Sequence, residues 1–229
     1  GGSSSGSAVA VAAGLAPVAT GTDTACSVRT PAALCGIAGL KTTVGRISRA
    51  GVHPLSSTLD SIGPLGRSVA DLALVFDALQ GPDPRDPATT GIAPVDVKRT
   101  LDDGVEGLRI AFGEGLLFEA LDAEVEHAVR RGGAVFADLG ARVTAIDFAP
   151  AAEVMARPSV ISLVEGYAVN ESRLLGRPGD IDPVVYQRMQ PGGAVPAVDY
   201  RRALDALAPL RQAADRVFDR VDVILAPTC

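Results

Sequence analysis

The chain has 229 residues, of which 47% are hydrophobic and 21% are charged, and its formal net charge is −6. These values are typical of a globular protein that is long enough to bury a large core within one domain. No block of basic residues favours a nucleic-acid surface, and no apolar run is long enough to cross a bilayer. We therefore expect no direct contact with nucleic acid, no membrane partner and a cytoplasmic location.

The chain has three cysteines, Cys26, Cys35 and Cys229, and their spacing matches no metal site. An odd number of cysteines argues against a disulfide-stapled secreted domain and favours a reducing compartment. We expect neither a metal nor another cofactor. Because the chain begins at Gly1 inside a Gly/Ser motif and ends just after a strand-like run, we interpret residues 1–229 as a single domain truncated at both ends.

The first third of the chain predicts short elements made of small residues. A glycine follows each of two predicted helices and should end it. Ser68 is expected to cap a longer helix over residues 69–79, whose apolar residues recur on one face. The other predictions are a buried helix at 7–13, a strand at 17–19, a tight loop at 21–27, a helix at 31–34 and a loop at 60–67.

The remainder of the chain predicts an α/β arrangement. A Pro- and Asp-rich stretch at 81–106 is expected to cross the surface. It is followed by a predicted strand at 108–112, a helix at 123–139 capped by Asp122, and a strand at 141–148, which together form a βαβ-type unit. Further helices are predicted at 150–175 and 199–220, with an irregular segment rich in proline and glycine at 176–198.

Two serine-rich motifs carry the candidate chemistry: GGSSSGS at 1–7 and GTDTACSVR at 21–29. A serine is a weak nucleophile until a neighbouring group takes its proton. The only two histidines are His53 and His127, and nothing around them supports a Ser-His-Asp triad. In a tight loop that leads into a helix, consecutive backbone N–H groups can converge on one oxyanion, which points to Ser27.

These motifs resemble the amidase signature. GGSSSGS followed by GTDTACSVRTPAALCGIAGLKTT at 21–43 is similar to the family pattern with the family spacing. The likeness covers essentially the whole chain, although it is weaker in the C-terminal half. It implies an α/β amidase-signature fold, with a mixed β-sheet core flanked by helices on both sides. Further matching segments are GRIS at 45–48, DSIGP at 60–64, SVAD at 68–71 and DVILAPT at 222–228.

The resemblance implies a Ser–cis-Ser–Lys triad. In this sequence Ser27 falls on the nucleophile, and Ser3 falls on the bridging serine that follows a cis peptide bond. The family's catalytic lysine would precede Gly1 and is absent from these residues, and neither Lys41 nor Lys98 matches it. We therefore expect residues 1–229 alone to be inactive. The oxyanion is expected to bind the backbone N–H groups of Thr24, Ala25, Cys26 and Ser27.

The same resemblance assigns supporting roles and shows departures from the family pattern. Asp23 and Arg29 are expected to pair with each other or with Ser4, and so to hold the loop. The pair Ala25-Cys26 replaces the usual Gly-Gly, which adds a Cβ atom at each position. Two further departures are Ser5 in place of a glycine and GLKTT in place of GLKPT at 39–43.

Structural interpretations compete with catalytic ones for the other reactive side chains. Cys26 is expected to be a small buried residue, since no base is evident beside it. His53 fits a surface loop or a substrate pocket, and Asp60 fits a loop-fixing carboxylate better than an acid catalyst. Glu165 and Tyr167 fit the core, the surface or a position facing the substrate. A solvated helix face is expected for Arg201, Arg202 and Arg211.

The leading hypothesis is an amidase that hydrolyses a small-molecule carboxylic amide through an acyl-enzyme. Two alternatives belong to the same family: the A subunit of a tRNA-dependent amidotransferase, which would need partner subunits, and a hydrolase of allophanate or other carbamoyl compounds. A non-enzymatic alternative is an inactive truncated homologue. A homodimer is also compatible with the sequence. The motifs do not separate these alternatives, because the pocket decides the substrate.

Overall fold

The computed structural model describes residues 1–148 and 151–228, without the side chains of 151–155. Cys229, and position 150 at the predicted start of a helix, lie outside the described residues. The described chain divides into two compact units. The first comprises residues 1–102 and 159–196, and the second comprises 103–158 and 197–228.

The first unit contains an antiparallel three-stranded sheet in the order β1-β3-β2. The element bounds are α1 Ser5–Ala12, β1 Val18–Asp23, α2 Arg29–Cys35, β2 Ala38–Gly39, β3 Ser61–Gly66 and α3 Val69–Leu79. After α4 (Ala123–Asp138) of the second unit, α5 (Ala151–Gly176) begins among residues of the second unit and continues into those of the first, where α6 (Pro183–Met189) follows it. The two predicted small-residue helices are therefore confirmed, with bounds shifted by one or two residues.

The small residues of the first unit let its helices approach the sheet closely. The core cluster consists of Ala8, Val11, Val28, Ala32 and Leu65. A Cβ atom at Gly39 would lie 2.7 Å from the Cβ atom of Ala32, so α2 can cross β2 only because that position is glycine. The prediction that α1 is buried as a whole is only partly right, because Val9 on its outer face is 52% exposed.

The predicted loop at 60–67 is wrong, because β3 occupies Ser61–Gly66 and is buried along its whole length. Glycine and proline suggested a loop, but both fit this strand. Gly63 lies against the chain beside β2, where an added Cβ atom would come 2.0 Å from the carbonyl oxygen of Leu40. Pro64 lacks an N–H group, yet its carbonyl accepts the Leu40 N–H at 3.0 Å.

Two other segments that were predicted to be irregular contain more regular structure than expected. The loop expected at 21–27 begins only after Asp23, because β1 pairs with β3 as far as that residue. The segment 176–198, expected to be irregular, contains α6, and the carboxylate of Asp182 accepts the first amides of that helix, from Val184 and Val185. The proline of α6 stands in its first turn, where its missing N–H group has no helical acceptor.

The second unit contains the predicted βαβ arrangement. Its elements are β4 Arg109–Glu114, α4 Ala123–Asp138, β5 Arg142–Asp147, α7 Ala197–Phe218 and β6 Val223–Leu225. The three strands are parallel in the order β5-β4-β6. The α/β class is thus confirmed. In the part of the chain that the structure describes, no helix is long and apolar enough to cross a membrane.

The stretch 81–106 contains two short 3-10 turns, Pro87–Thr89 and Lys98–Thr100. Most of its residues are exposed, but Asp86 is 5% exposed and accepts hydrogen bonds from the backbone and side chain of Arg49. These contacts lower the pKa of Asp86, with the Arg49 side chain as the largest cause.

We predict that Ser68→Ala destabilises the protein by about 1 kcal/mol. The Ser68 hydroxyl accepts the Asp71 N–H at 3.1 Å, and the Asp71 carboxylate accepts the Ser68 N–H at 3.0 Å, so the substitution breaks a capping box. Urea denaturation measures the change. Ser172→Ala, in the exposed interior of α5, is the control and should not destabilise, because alanine favours helix. Equal stability of Ser68→Ala and the unmodified protein would contradict the capping role.

Candidate active site

The structure brings the two serine motifs together at the end of β1. Ser27 is half-buried in the loop between β1 and α2, and Ser3 lies exposed just before α1. The backbone N–H of Ser4 donates to the carbonyl of Ser27 at 3.1 Å. The Ser4 hydroxyl accepts the Thr22 N–H at 3.2 Å and donates to the Thr22 carbonyl at 3.3 Å. Ser4 therefore holds the first motif beside the strand that carries the second.

This contact depends on the glycine that begins the second motif. A Cβ atom at Gly21 would lie 2.5 Å from the Ser4 hydroxyl, so a larger residue would push the motifs apart. One turn further along α1, the Ser7 hydroxyl donates to the Thr20 carbonyl at 2.9 Å. The peptide bond between Gly2 and Ser3 is cis, as the resemblance implies.

Asp23 is the buried anchor of the loop. Its carboxylate is fully buried and accepts the backbone N–H groups of Val28 at 3.2 Å and Arg29 at 3.5 Å. The Ser61 hydroxyl, from β3, donates to the Asp23 carbonyl at 3.0 Å. The end of β1 and the start of α2 are thus fixed to one side chain, and the four residues between Asp23 and Val28 must form a tight loop.

The Arg29 guanidinium completes this anchor. It donates to both oxygens of Asp23, at 3.1 Å from Nε and 3.0 Å from a terminal nitrogen, and it also donates to the Ala25 carbonyl. Burial lowers the pKa of Arg29, but the hydrogen bonds and negative charge of Asp23 outweigh it and raise that pKa overall. Asp23 and Arg29 therefore pair with each other, while Ser4 binds Thr22 instead.

The residues Thr24, Ala25, Cys26 and Ser27 form what we call the nucleophile loop. In the described residues, no hydrogen bond has the backbone N–H of any of these four as its donor. The loop is not sealed from solvent, because Ala25 is exposed and the other three are half-buried. A run of four consecutive N–H groups without a protein acceptor, next to a serine hydroxyl, is suited to bind an oxyanion.

Asp60 holds the other side of the nucleophile loop. It is 5% exposed, and its carboxylate accepts the Thr24 hydroxyl at 2.5 Å. Its second oxygen accepts the backbone N–H groups of Leu55 at 2.8 Å and Ser56 at 3.0 Å. All three contacts join loop segments, as expected for a loop-fixing carboxylate.

The remaining candidates lie in ordinary structural environments. Cys26 is half-buried, not buried as expected, and its thiol is free. His53 and His127 are both exposed.

The two lysines are both engaged in contacts. Lys98 pairs with Asp77 at 2.7 Å, and this contact raises the pKa of Lys98. The Lys41 ammonium donates to the Thr42 carbonyl at 3.0 Å. A solvated helix face is observed, as predicted, for Arg201, Arg202 and Arg211.

Sequence reasoning missed the environment of Glu165. Its carboxylate is buried and accepts the hydroxyls of Ser56 and Thr58 at 2.5 Å each, and also the Thr58 N–H at 3.1 Å. The Ser-Ser-Thr run before Asp60 was the available signal, because such hydroxyls favour turns. Glu165 lies 109 residues from Ser56 in the sequence, so no local sequence pattern indicates that the two side chains are in contact. Tyr167, on the same helix, packs against Gly192 and Gly193.

Comparison with known proteins identifies the family of this chain. The model of a family described as Amidase matches residues 1–229. The chain belongs to the amidase family. It is 38% identical, over its whole length, to the A subunit of the glutamyl-tRNA(Gln) amidotransferase of Lachnoclostridium phytofermentans, of which it covers 51%. It is 37% identical over 99% of its length to AtzE, a subunit of the 1-carboxybiuret hydrolase of Pseudomonas sp. (strain ADP), of which it covers 49%.

Solved structures show the same likeness. An inhibitor-bound vestigial complex related to the origins of an s-triazine catabolic enzyme matches all of this chain, with a TM-score of 0.91 and 34% identity. The match covers 49% of that protein chain. The present chain therefore spans about half the length of the curated and solved relatives that it matches.

We predict that Arg29→Gln destabilises the protein by about 2–3 kcal/mol, since it leaves the fully buried Asp23 without its charged partner. Arg29→Lys should recover only part of this loss, because lysine cannot donate to both carboxylate oxygens at once. Chemical denaturation measures both variants. Arg85→Gln is the control: the Arg85 side chain is 77% exposed in its pair with Asp83, so this change should leave the stability almost unaltered. Similar losses for Arg29→Gln and Arg85→Gln would refute the anchoring role.

Proposed function

We propose that this chain carries the nucleophile and the oxyanion site of an amidase that hydrolyses a carboxylic amide through an acyl-enzyme. The observation that carries the proposal is the nucleophile loop, whose four N–H groups have no acceptor in the described residues and lie beside the Ser27 hydroxyl. Membership of the amidase family supports the same reaction class. The two family relatives are, by their names, parts of an amidotransferase and of a hydrolase.

The proposed reaction starts at Ser27. Its hydroxyl oxygen attacks the carbonyl carbon of the amide while its proton passes to Ser3, which gives its own proton to the lysine base that the resemblance implies. The negative charge that develops on the carbonyl oxygen is stabilised by the N–H groups of the nucleophile loop. One such donor typically contributes about 2.7–4 kcal/mol to lowering the barrier.

Collapse of the tetrahedral intermediate breaks the carbon–nitrogen bond. Ser3 returns a proton to the leaving nitrogen, which departs as ammonia or an amine, and the acyl group stays on the Ser27 oxygen. Water then attacks the acyl-enzyme by the same relay and releases the acid. Asp23 and Arg29 take no part in the proton transfers. They fix the nucleophile loop, since both side chains are committed to loop contacts.

A second candidate function is the glutaminase part of a tRNA-dependent amidotransferase, favoured by the 38% identity to the glutamyl-tRNA(Gln) amidotransferase relative. A third is a hydrolase of carbamoyl compounds, favoured by the relative that acts on 1-carboxybiuret. All three functions use the same nucleophile and oxyanion site. They differ in the substrate pocket and in the need for partner subunits.

We predict that a fluorophosphonate probe labels the full-length protein at Ser27, because the reagent forms a covalent bond with an activated serine. Ser27→Ala should abolish labelling, and Ser3→Ala should slow it by at least about a hundredfold by removing the proton relay. Ser57→Ala, at an exposed turn serine, is the matched control and should label at the normal rate. Mass spectrometry identifies the labelled residue; undiminished labelling of Ser27→Ala would contradict the assignment.

We also predict that the purified full-length protein releases p-nitroaniline from p-nitroacetanilide without any partner, as a self-sufficient amidase should. The measurement is the absorbance of the product over time, with Ser27→Ala as the blank. If ammonia is instead released only from glutamine, and only after addition of the other amidotransferase subunits and charged tRNA, the amidotransferase function is correct and the leading proposal is wrong.

A further inference from the structure

Asp23 and Asp60 are buried carboxylates that bind the nucleophile loop or the residues directly after it, and the buried Glu165 binds Ser56 and Thr58 close to Asp60 in the chain. The proposed reaction uses none of the three as an acid or base. Asp23 is already explained as the anchor of the loop. Asp60 is 5% exposed and Glu165 is 8% exposed, and both accept hydrogen bonds from short segments of the first unit. Burying a carboxylate is costly unless hydrogen-bond donors surround it, so the donors around each of these side chains are part of what fixes its position.

Among the described residues, Asp60 is the one of these three whose carboxylate accepts a hydrogen bond from a side chain of the nucleophile loop. Asp23 binds Arg29, which lies just after the loop. The Thr24 hydroxyl donates to one of its oxygens at 2.5 Å. Thr24 stands at the start of the loop, immediately after the end of β1. A fixed Thr24 side chain restricts the backbone dihedrals of that residue, and these dihedrals set the direction in which the following N–H groups point.

The position of Asp60 is itself determined from two sides. Its second oxygen accepts the N–H groups of Leu55 and Ser56, and its own N–H donates to the Ser56 carbonyl at 2.9 Å. It directly precedes β3, the central strand of the antiparallel sheet. Asp60 thus connects the nucleophile loop to β3 and to the turn formed by residues 55–60.

Glu165 keeps that turn closed. From α5 it accepts the hydroxyls of Ser56 and Thr58, and Ser56 is fully buried. The Ser56 hydroxyl also accepts the Leu59 N–H at 3.1 Å. In the turn from Leu55 to Asp60, Leu55, Ser56 and Thr58 therefore donate to the carboxylate of Asp60 or Glu165. The two other residues between them, the exposed Ser57 and the partly buried Leu59, do not donate to a carboxylate in the described hydrogen bonds. The contacts that position Asp60 therefore involve both β3 and α5, although Glu165 of α5 lies more than a hundred residues away from Asp60 in the sequence.

We propose that Asp60 is a positioning residue for the oxyanion site: through the Thr24 hydroxyl it holds the nucleophile loop in the conformation that keeps its N–H groups turned toward the reacting carbonyl. This inference rests on the proposed function of Ser27. It assigns no proton transfer to Asp60. Its consequence is a selective one: loss of the Thr24–Asp60 hydrogen bond lowers the rate of bond formation at Ser27 more than it weakens substrate binding.

Thr24→Val is the cleanest variant, because it removes the hydroxyl and keeps the shape of the side chain. In the full-length protein it should lower kcat for p-nitroacetanilide about tenfold, with KM changed by less than about twofold. The rate constant for fluorophosphonate labelling of Ser27 should fall by a similar factor. Thr24→Ser, which restores the hydroxyl, should return both rates to within about twofold of the unmodified protein.

Asp60→Ala tests the carboxylate directly, and Asp86→Ala is its matched control. Both aspartates are 5% exposed and both accept several hydrogen bonds, but Asp86 binds Arg49 and Ala88 and does not contact the nucleophile loop. Asp60→Ala should lower kcat and the labelling rate at least as much as Thr24→Val does. The control should change neither rate once each is expressed per folded molecule, and circular dichroism measures the folded fraction.

The double variant Thr24→Val/Asp60→Ala should lose no more activity than Asp60→Ala alone, because both changes break the same hydrogen bond. The proposal is overturned if Thr24→Val keeps full kcat, if Thr24→Ser fails to restore it, or if the two losses multiply. The Thr24 variants alone decide the matter if Asp60→Ala does not fold. Ser27→Ala separates the two levels: an inactive Ser27→Ala with a fully active Thr24→Val rejects the role of Asp60 only, whereas an active Ser27→Ala rejects the proposed function.

Discussion

The burial of the Asp23 carboxylate is the constraint on which the rest of the site depends. A fully buried carboxylate without donors would cost several kcal/mol, so the chain after β1 has to turn back and supply them. It does so with the N–H groups of Val28 and Arg29 and with the Arg29 guanidinium. The four residues of the nucleophile loop are left between these fixed points. Their N–H groups have no acceptor among the described residues, which makes them available to a ligand.

This arrangement explains why Ala25 and Cys26 can replace the two glycines of the family pattern. Among the described residues, Ala120 is the one non-glycine residue with a positive φ, so the loop requires no conformation that is reserved for glycine. The added Cβ atom of Ala25 projects from an exposed residue. Asp23 accepts the N–H groups at the end of the loop and Asp60 accepts the Thr24 hydroxyl at its start, whereas the four N–H groups of the loop have no acceptor among the described residues.

The sequence predicted the elements whose signals are local. The Ser68 cap, the βαβ unit at residues 109–147 and the two glycine-ended helices all follow from short patterns of caps, periodicity and small residues. The sequence-based prediction was wrong at β3, because glycine and proline suggest loops. Gly63 is required there because the carbonyl oxygen of Leu40 lies against it, and this contact is visible only in the structure. The motifs predicted that Asp23 and Arg29 pair with each other or with Ser4, and the structure shows the first of these pairings. The contact of Glu165 with Ser56 depends on tertiary packing and was not foreseen.

The most direct test of this account is a crystal structure of the full-length protein after reaction with a phosphonate inhibitor, whose phosphoryl oxygen imitates the oxyanion. The account predicts a covalent bond from the Ser27 Oγ to phosphorus, with the phosphoryl oxygen about 3 Å from at least two N–H groups of the nucleophile loop. The Asp23 and Arg29 contacts should be unchanged in the adduct. An adduct on another residue, or a phosphoryl oxygen that faces none of these four N–H groups, would contradict it.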